Sequence, residues 1–264
     1  MDECEQRRIW RVRGEQREPA EDEIAREEPL EIRVNGHALT VTMRTPGHDE
    51  DLAAGFLVSE GIITAAAEIA EIRRTVRPDC NSVEVQLRDG VEVDLARLTR
   101  HVFASSSCGV CGKTTIAAVL QQFPPIASEL AVPAAVIRSL PAKLSQSQPS
   151  FRRSGGLHAA AIFTATGELE IAREDIGRHN AVDKVIGEAL RRDALPLDRH
   201  ILLVSGRASF EIMQKALAAR LPIVAAVSAP SNLAIELAEE NGQTLIGFLR
   251  GDDMNLYANA QRIL

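Results

Sequence analysis

Residues 200–251 have the sequence HILLVSGRASFEIMQKALAARLPIVAAVSAPSNLAIELAEENGQTLIGFLRG, in which short apolar runs alternate with segments whose apolar residues recur at helical spacing. This pattern predicts three strands separated by two helices. Strands connected in this way lie parallel in a sheet that helices cover on both faces. The stretch therefore predicts an α/β domain, in which ligands bind beyond the carboxyl ends of the strands.

The segments before this stretch predict further elements of both kinds. Two alternating runs meet at Thr166-Gly167 and predict a hairpin, and residues 178–192 have the spacing of a helix. Closer to the N-terminus, alternating runs meet at Asn35-Gly36, a pair that accepts the positive φ angles of a tight turn. An amphipathic helix over 49–63 and a second hairpin turning at Asp89-Gly90 are predicted between these parts.

The distribution of charge divides the chain further. The net charge is −7, and residues 1–28 contain ten acidic and six basic side chains. We predict an acidic, flexible tail over 1–28, an N-terminal α+β region over 29–145 and an α/β domain over 146–264. The remainder of the chain is nearly balanced in charge, and only 3% of all residues are aromatic, so the composition argues against general nucleic-acid binding.

Localisation and thiol state are predicted from composition. No window approaches the about 20 uncharged apolar residues of a membrane span, and the N-terminus lacks the apolar core of a secretory signal. We therefore expect a cytoplasmic protein with no membrane partner. Four cysteines in 264 residues are too few for a disulfide framework, so we expect free thiols.

Three polar loops are predicted at one edge of the sheet, because they follow three parallel strands. Their helix N-termini and arginines suit an anion such as phosphate, and two adjacent acids could accept hydrogen bonds from a base edge. Ordinary polar loops with arginine caps explain the same residues equally well. The residues of interest are Ser205, Gly206, Arg207, Ser228, Asn232, Arg250, Asp252 and Asp253.

The segment EDIGRHNAVDKVIG, residues 174–187, places many polar groups at the start of a helix. His179 and Asp183 lie four residues apart on one helix face, with Arg178 and Lys184 beside them. These four side chains could line the same crevice. The alternative is that Asp175 caps the helix and the His–Asp pair is a surface contact. His158, at the start of a strand, is interpreted as a hydrogen-bonded core residue.

A close cysteine pair, Cys108 and Cys111, lies in the segment SSSCGVCGKTT, residues 105–115. Ser107 stands where a phosphate loop needs glycine and where a zinc deaminase has proline, although His48-Asp49-Glu50 resembles the deaminase H-x-E. A structural zinc site would need a second ligand pair. Gly109, Gly112 and Lys113 instead favour an exposed thiolate, which attacks either a disulfide or a persulfide.

The motifs together resemble the FdhD family of formate dehydrogenase accessory sulfurtransferases, also described as sulfur carrier proteins. The resemblance covers roughly residues 30–260. It is carried by six blocks: TPGHDEDLAAGFLVSEGII (45–63), SSSCGVCGK (105–113), GGLHAAA (155–161), EDIGRHNAVDKVIG (174–187), SGRASFEIMQKA (205–216) and SAPSNLAIELAEENGQTLIGFLRG (228–251).

The resemblance implies a function, a ligand and partners. It implies sulfur transfer from a cysteine desulfurase, as a cysteine persulfide, to a molybdenum bis(molybdopterin guanine dinucleotide) cofactor needed by formate dehydrogenase. It assigns the persulfide to Cys108, with Cys111 as its partner. It also implies a homodimer, no structural zinc and a cytidine-deaminase-like C-terminal domain with a mixed sheet. The cofactor-binding residues that it implies are Phe248, Leu249, Arg250, Gly251, Asp252 and Asp253.

Two other functions remain open from the sequence. A molybdenum-cofactor-binding chaperone would bind the nucleotide but transfer no sulfur, so its cysteines would only shape a loop. A zinc protein would carry about one metal ion per chain.

Overall fold

A computed structural model describes residues 2–77, 80–91, 93 and 123–264 of the chain. In these ranges the strands form a two-stranded ribbon, a four-stranded sheet and a six-stranded sheet. The strands are β1 Cys4–Arg13, β2 Gln16–Ala25, β3 Glu28–Val34, β4 His37–Arg44, β5 Ile69–Arg77, β6 Cys80–Leu87, β7 His158–Thr164, β8 Leu169–Asp175, β9 His200–Val204, β10 Ile223–Ala226, β11 Thr244–Arg250 and β12 Asp253–Ala258. The helices are α1 Asp49–Ser59, α2 Ala134–Gln146, α3 Pro149–Ser154, α4 Arg178–Arg191, α5 Phe210–Ala218 and α6 Asn232–Glu240, and short 3₁₀ turns cover Ala66–Glu68 and Ala260–Arg262.

The six-stranded sheet has the order β12-β11-β10-β9-β7-β8. Strands β9, β10 and β11 run parallel, as the alternation of strands and helices predicts. Strands β7 and β8 form the predicted hairpin, and β7 pairs antiparallel with β9, so the sheet is mixed. Strand β12 was not predicted, because its residues are largely exposed and its pairing with β11 is interrupted by register shifts.

Helices cover both faces of this sheet, as predicted. Alternate residues of each strand point to opposite faces, so Leu202 and Val224 pack with α4, α5 and α6. Ile201 and Ile223 lie on the other face and pack with α2. Burial on both faces explains why these strands are continuous apolar runs. Helix α2 was not predicted; nearly all of it lies within residues 29–145, which the sequence analysis assigned to the N-terminal region, yet it packs on the sheet of the C-terminal domain.

The four-stranded sheet has the order β4-β3-β6-β5. Its β3–β4 hairpin turns at Asn35 and Gly36, whose φ angles are 48° and 81°, as predicted. Strand β5 was not predicted, and it is the antiparallel partner of β6. The second strand of the hairpin predicted at Asp89-Gly90 falls largely outside the described residues. One apolar cluster includes residues of this sheet and of the six-stranded sheet, so both contribute to the same core.

Helix α1 packs against α4 with the two backbones in direct contact. A Cβ atom added to Gly55 would lie 1.8 Å from the carbonyl oxygen of Asp183, and one added to Gly187 would lie 1.8 Å from that of Asp51. Only glycine permits this approach. The helix was predicted correctly, but the amphipathic pattern was wrong, because α1 is buried on nearly all sides.

The prediction of a flexible tail over residues 1–28 is wrong for most of that segment. Strands β1 and β2 pair in continuous register from Cys4 and Ala25 to Arg13 and Gln16. Several residues that are directly opposite each other in the register carry opposite charges, which reduces the repulsion expected of an acidic segment. These register partners are Arg7 with Asp22, Arg8 with Glu21 and Arg11 with Glu18.

The base of the ribbon is attached to α3. The Arg153 guanidinium donates hydrogen bonds to Asp2 and Glu23, and the Ser150 hydroxyl donates to Glu3 at 2.5 Å. Glu174 in turn accepts hydrogen bonds from the backbone N–H groups of Ser150 and Phe151 at the start of α3.

Within the described ranges, no helix combines the length and apolar character needed to span a bilayer.

Candidate functional site

The carboxyl ends of β9, β10 and β11 meet at one edge of the six-stranded sheet, as parallel strands require. The loops that follow them are joined by backbone hydrogen bonds. Ser231 N donates to Ala208 O at 3.0 Å, and Phe248 N donates to Ser228 O at 3.1 Å. We call this edge the crevice edge, formed by residues 205–209, 227–231 and 250–253. The antiparallel strand β7 begins at the same edge.

His158 begins β7 and lies against the first loop of the crevice edge. Ser205 fixes this contact, because its hydroxyl accepts a hydrogen bond from Ala159 N at 2.9 Å, and Ser205 N donates to Ala159 O at 2.9 Å. A Cβ atom at Gly206 would lie 3.3 Å from His158 Nδ1 and 3.6 Å from Arg178 Cδ. His158 is therefore a half-buried residue of the crevice edge, whereas the sequence analysis placed it in the core.

The charges around His158 are mainly positive. Burial lowers the pKa of its imidazole and the Arg178 guanidinium lowers it further, while the Asp175 carboxylate opposes this shift with an effect larger than the lowering by Arg207. The ring is therefore neutral over a wider pH range than an exposed histidine. Of the predicted site residues, Arg178, Ser205, Gly206 and Arg207 are thus brought together around His158.

His179 lies at the N-terminal end of the next helix. Its Nε2 atom is 3.3 Å from the Ser209 hydroxyl and 3.3 Å from a carboxylate oxygen of Glu211. His179 is buried, so its polar contacts link the start of α4 to the start of α5. The surface pair of His179 with Asp183, weighed in the sequence analysis, is not the arrangement observed.

Asp183 was predicted to line the crevice, and this prediction is wrong. Its carboxylate accepts hydrogen bonds from Lys215 Nζ at 2.8 and 3.0 Å and from the Ser59 hydroxyl at 2.6 Å. Burial opposes the charge of Lys215, but the carboxylates of Asp183, Glu211 and Glu60 outweigh it and raise the pKa of the ammonium group. Asp183 therefore joins α1, α4 and α5 inside the protein.

Lys184 was also predicted to line the crevice, and it too lies in the interior. Its Nζ atom is 2.7 Å from Asp175 Oδ2, and it donates to the carbonyl oxygens of Thr45 at 3.0 Å and Glu174 at 3.2 Å. The side chain has no exposed surface. Helix α4 is buried on most sides, so helical spacing did not reveal which residues face solvent.

Asp175 is not the N-cap of α4, which is Gly177. One of its oxygens accepts hydrogen bonds from Gly177 N at 2.8 Å and from the Asn180 amide at 3.0 Å. The other accepts from Thr45 N at 3.2 Å in addition to the ion pair with Lys184. This carboxylate is therefore fully used in joining the start of α4 to the end of β4.

The stretch predicted to bind the cofactor, residues 248–253, forms the end of β11 and the turn into β12. Phe248 is 40% exposed and has a φ of 52°, while Leu249 is buried in the core and presents no side chain to a ligand. Arg250 Nε donates to Val227 O at 2.9 Å. Asp252 and Asp253 are exposed at the turn. Of the five side chains in this stretch, those of Arg250, Asp252 and Asp253 are accessible at the crevice edge, and that of Phe248 is accessible just before it in β11.

The remaining predicted site residues differ in where they lie, and two of them fall outside the described ranges. Ser228 contributes its carbonyl oxygen to the loop contact described above. Asn232 is exposed in the first turn of α6, whose cap is the Ser231 hydroxyl. Cys108 and Cys111 lie outside the described residues. In the ranges that are described, no three His, Cys, Asp or Glu side chains lie close enough together to hold a metal ion.

A polar cleft of about 350 Å³, which the sequence analysis did not predict, lies between the start of α1 and the end of α4. Burial disfavours the charged form of Asp51, but hydrogen bonds from His48 and Arg191 and the charge of Arg173 outweigh it and lower the pKa of the carboxyl. The lining residues are far apart in sequence, so no local pattern indicated them. They are His48, Asp51, Arg173, Glu188, Arg191 and Arg192.

The described fold defines an α/β protein with a mixed six-stranded sheet, whose carboxyl edge carries the exposed side chains of Arg207 and Arg250. The chain belongs to the FdhD/NarQ family, whose sequence model matches residues 25–264. The resemblance found in the sequence is thereby confirmed.

Individual relatives match nearly the whole chain. The sulfur carrier protein FdhD of Streptomyces avermitilis is 49% identical over 272 residues, covering 98% of this chain and 95% of that protein. The protein of the same name from Nocardia farcinica is 51% identical over 251 residues, covering 92% and 88%. A crystal structure from Desulfotalea psychrophila, described as a formate dehydrogenase accessory protein, is similar with a TM-score of 0.79 and 26% identity over 100% of both chains.

Proposed function

We propose that this chain is a sulfur carrier, which takes sulfur from a cysteine desulfurase and delivers it to a molybdenum bis(molybdopterin guanine dinucleotide) cofactor needed by formate dehydrogenase. The observation that carries the proposal is the near full-length similarity to curated sulfur carrier proteins, in a chain with a close cysteine pair, Cys108 and Cys111. The proposal includes a cytoplasmic homodimer and a C-terminal domain related to the cytidine deaminase fold.

In the proposed loading step, the Cys108 thiolate attacks the outer sulfur of the desulfurase persulfide. The S–S bond of that persulfide breaks, the desulfurase thiolate leaves, and Cys108 holds the new persulfide. The exchange needs no external oxidant or reductant. Lys113 follows Cys111 by two residues in the sequence, and a positive charge near a thiol would favour the thiolate.

Cys111 has two roles open to it in the release step. It can attack the inner sulfur at Cys108, which leaves a Cys108–Cys111 disulfide and releases the outer sulfur as hydrosulfide with the electron pair of the broken bond. Alternatively, it attacks the outer sulfur and becomes the persulfide itself. Only the first route leaves a disulfide, so the mass of the protein after sulfur release distinguishes the two routes.

The crevice edge supports the nucleotide part of the proposal. The cofactor is the substrate of this reaction, and its guanine nucleotides carry phosphates. The side chains of Phe248, Arg250, Asp252 and Asp253 are accessible at the end of β11. An exposed aromatic ring can stack on a base, and carboxylates can accept hydrogen bonds from the amino group of guanine.

The test is to incubate the protein with a cysteine desulfurase and cysteine and to measure its intact mass. We expect a gain of one sulfur atom that is lost in Cys108→Ala. The matched control is Cys4→Ala, because the Cys4 thiol is buried, lies 3.7 Å from Ser150 O, and has a pKa that burial raises. A gain of sulfur that survives in a Cys108→Ala, Cys111→Ala double variant contradicts the proposal.

The chaperone hypothesis makes the opposite prediction for the same variant. If the cysteines only shape a loop, Cys108→Ala supports full formate dehydrogenase activity in cells that lack the wild-type chain. The sulfur carrier proposal predicts that this activity is lost. Nucleotide binding by purified Cys108→Ala is the control, because both hypotheses predict that it is retained.

A further inference from the structure

The N-terminal ribbon, formed by β1 and β2, presents an ordered aromatic side chain to solvent. Trp10 and Val12 are 59% and 64% exposed, and they lie on the same face of β1 because successive residues of a strand alternate between its faces. The Arg17 guanidinium carbon lies 4.4 Å from the centre of the Trp10 ring, a cation–π contact that orders the indole. The family model begins at residue 25, so nearly all of the ribbon precedes the region that the model matches.

The two strands of the ribbon carry opposite charges. Strand β1 contains four arginines and one glutamate, whereas β2 contains four acids and one arginine. The ribbon as a whole is therefore nearly neutral and has no general attraction for a phosphate polymer or an anionic membrane. The positive charge is confined to β1, which suits a partner that contacts this strand alone.

The outer edges of the two strands also differ. Within the described ranges the ribbon has no third strand, so both outer edges are unpaired. Pro19 lies opposite Trp10 in the register, and a proline in a sheet has its nitrogen, which carries no hydrogen, toward the open edge. The edge of β2 is thus closed to a further strand at this position. Strand β1 contains no proline, so its edge offers a continuous row of backbone donors and acceptors.

Three arginines, Arg7, Arg11 and Arg13, lie on the face of β1 opposite to Trp10, and we call them the arginine row. In the register of the ribbon, β2 places Asp22 opposite Arg7 and Glu18 opposite Arg11. An acidic strand thus already flanks the arginine row on one side. Among the described residues Arg11 forms no ion pair, and the other side of the row faces the open edge of β1.

We propose that the outer edge of β1 binds an extended segment of a partner protein as a third strand, and that acidic and apolar residues alternate in this segment. Its main chain pairs with β1, its carboxylates lie beside the arginine row, and its apolar side chains cover Trp10 and Val12. The alternation matches the two faces of β1, because one face carries the arginine row and the other the indole. Trp and Arg are also the residues that most often dominate binding at protein interfaces.

The test uses Trp10 as the reporter, because it is the only tryptophan of the chain. The full chain is titrated with the synthetic peptide (Glu-Val)₅, and the Trp10 emission is recorded. We expect a saturable shift of the emission to shorter wavelength, as valine side chains cover the indole, and binding that weakens as salt is added. Because the probe is a peptide, the result does not depend on whether Cys108 carries sulfur.

Two control peptides separate strand pairing from general attraction. The peptide (Lys-Val)₅ keeps the apolar residues and reverses the charge, and we expect no saturable shift. A variant of (Glu-Val)₅ with two inner valines replaced by proline keeps the charge but cannot form a continuous strand, and we expect no saturable shift with it either. A shift of equal size and midpoint with either control peptide overturns the proposal.

Two variants of β1 provide the matched comparison within the protein. We expect Arg11→Gln to weaken (Glu-Val)₅ binding by about fivefold, the effect of one exposed ion pair at the upper end of the usual range. Arg8→Gln removes the same charge from the same strand, but on the face of Trp10, so we expect a change of less than about twofold. Equal weakening by both substitutions would show that only the general charge of β1 matters, and it overturns the proposed strand.

Two further results contradict the proposal. One is the absence of any saturable shift with (Glu-Val)₅ in a protein whose unfolding midpoint shows that it is folded. The other is a shift that appears when the protein is concentrated without peptide, together with a larger mass in sedimentation. This second result would show that another copy of the chain, and not a partner protein, covers Trp10.

Discussion

The α1–α4 contact and the N-terminal ribbon both bring together segments that are distant in sequence, but by opposite means. At the α1–α4 contact, Gly55 and Gly187 remove side chains so that two backbones touch inside the core. At the ribbon, Arg153 attaches an exposed hairpin through charged hydrogen bonds to Asp2 and Glu23. The comparison teaches that a contact buried in the core tolerates no added atom, whereas a solvated charge contact can be lost without unfolding the protein.

The largest effect is expected for Gly187→Ala. Its Cβ atom would lie 1.8 Å from Asp51 O and 2.7 Å from Gly55 N, and these are backbone atoms that cannot move without separating the helices. We expect a loss of at least about 4 kcal/mol in the free energy of unfolding, or no soluble protein. Urea denaturation measures this loss. Gly156→Ala is the control, because its Cβ atom would meet no atom closer than Ala25 Cβ at 3.5 Å, an ordinary van der Waals contact. A loss within about 1 kcal/mol for Gly187→Ala as well would contradict the prediction.

This contact also shows where sequence patterns are sufficient and where they are not. The strands of residues 200–251 were predicted because burial on both faces makes them uniformly apolar. Strand β5 was missed because charged residues interrupt it, as the sequence IAEIRRTVR shows. Helix α2 was missed because Pro141 lies within it and polar residues end it. The role of Gly55 was missed because a glycine in a helix does not reveal which backbone lies opposite.

The next effect concerns the buried ion pair of Asp183 and Lys215. Lys215→Met leaves the Asp183 carboxylate buried with the Ser59 hydroxyl as its remaining hydrogen-bond donor among the contacts described above. We expect a loss of about 3–5 kcal/mol in the free energy of unfolding, because an uncompensated buried charge is left behind. The double variant Asp183→Asn, Lys215→Met is expected to lose less than the sum of the single variants in a urea denaturation cycle. Additive losses would show that the pair does not interact.

The exposed ion pair of Arg73 and Glu71 is the matched control for this cycle. Both side chains are largely solvated, at 72% and 48% relative exposure. Arg73→Ala is expected to leave the unfolding midpoint unchanged, since exposed ion pairs contribute little to stability.

Only part of the candidate site could be predicted from the sequence, because the rest depends on how helices and strands pack. The crevice edge follows from strand order, so the positions of Ser205, Gly206 and Arg207 could be predicted from topology. Asp183 and Lys184 were misplaced because their helix is packed on several sides and the sequence does not show which polar residues are paired inside. His158 was assigned to the core because its position depends on the antiparallel pairing of β7 with β9, which sequence alone does not specify.

The smallest effect on global stability is expected at the ribbon. Arg153→Ala removes the hydrogen bonds that lower the pKa values of the exposed Asp2 and the partly exposed Glu23. We expect an unchanged unfolding midpoint but faster proteolysis within residues 4–25, because the ribbon opens locally. The folded pKa values of both carboxyls are depressed, so their contribution is present at neutral pH and is lost as the pH falls through those values.

Acidification should therefore mimic the substitution. In wild-type protein, we expect proteolysis of the ribbon to become faster as these carboxyls are protonated. In Arg153→Ala protein, we expect rapid cleavage across the same pH range. An unfolded substrate measures the protease activity at each pH, and the cleavage rates are corrected by it. Arg73→Ala is the control, because Arg73 lies outside the ribbon and bonds to Glu71 on its own strand. Equal protection of the ribbon in wild-type and Arg153→Ala protein at neutral pH would show that the charged hydrogen bonds of Arg153 do not hold the ribbon, and the contrast with the α1–α4 contact would then not be one of charge.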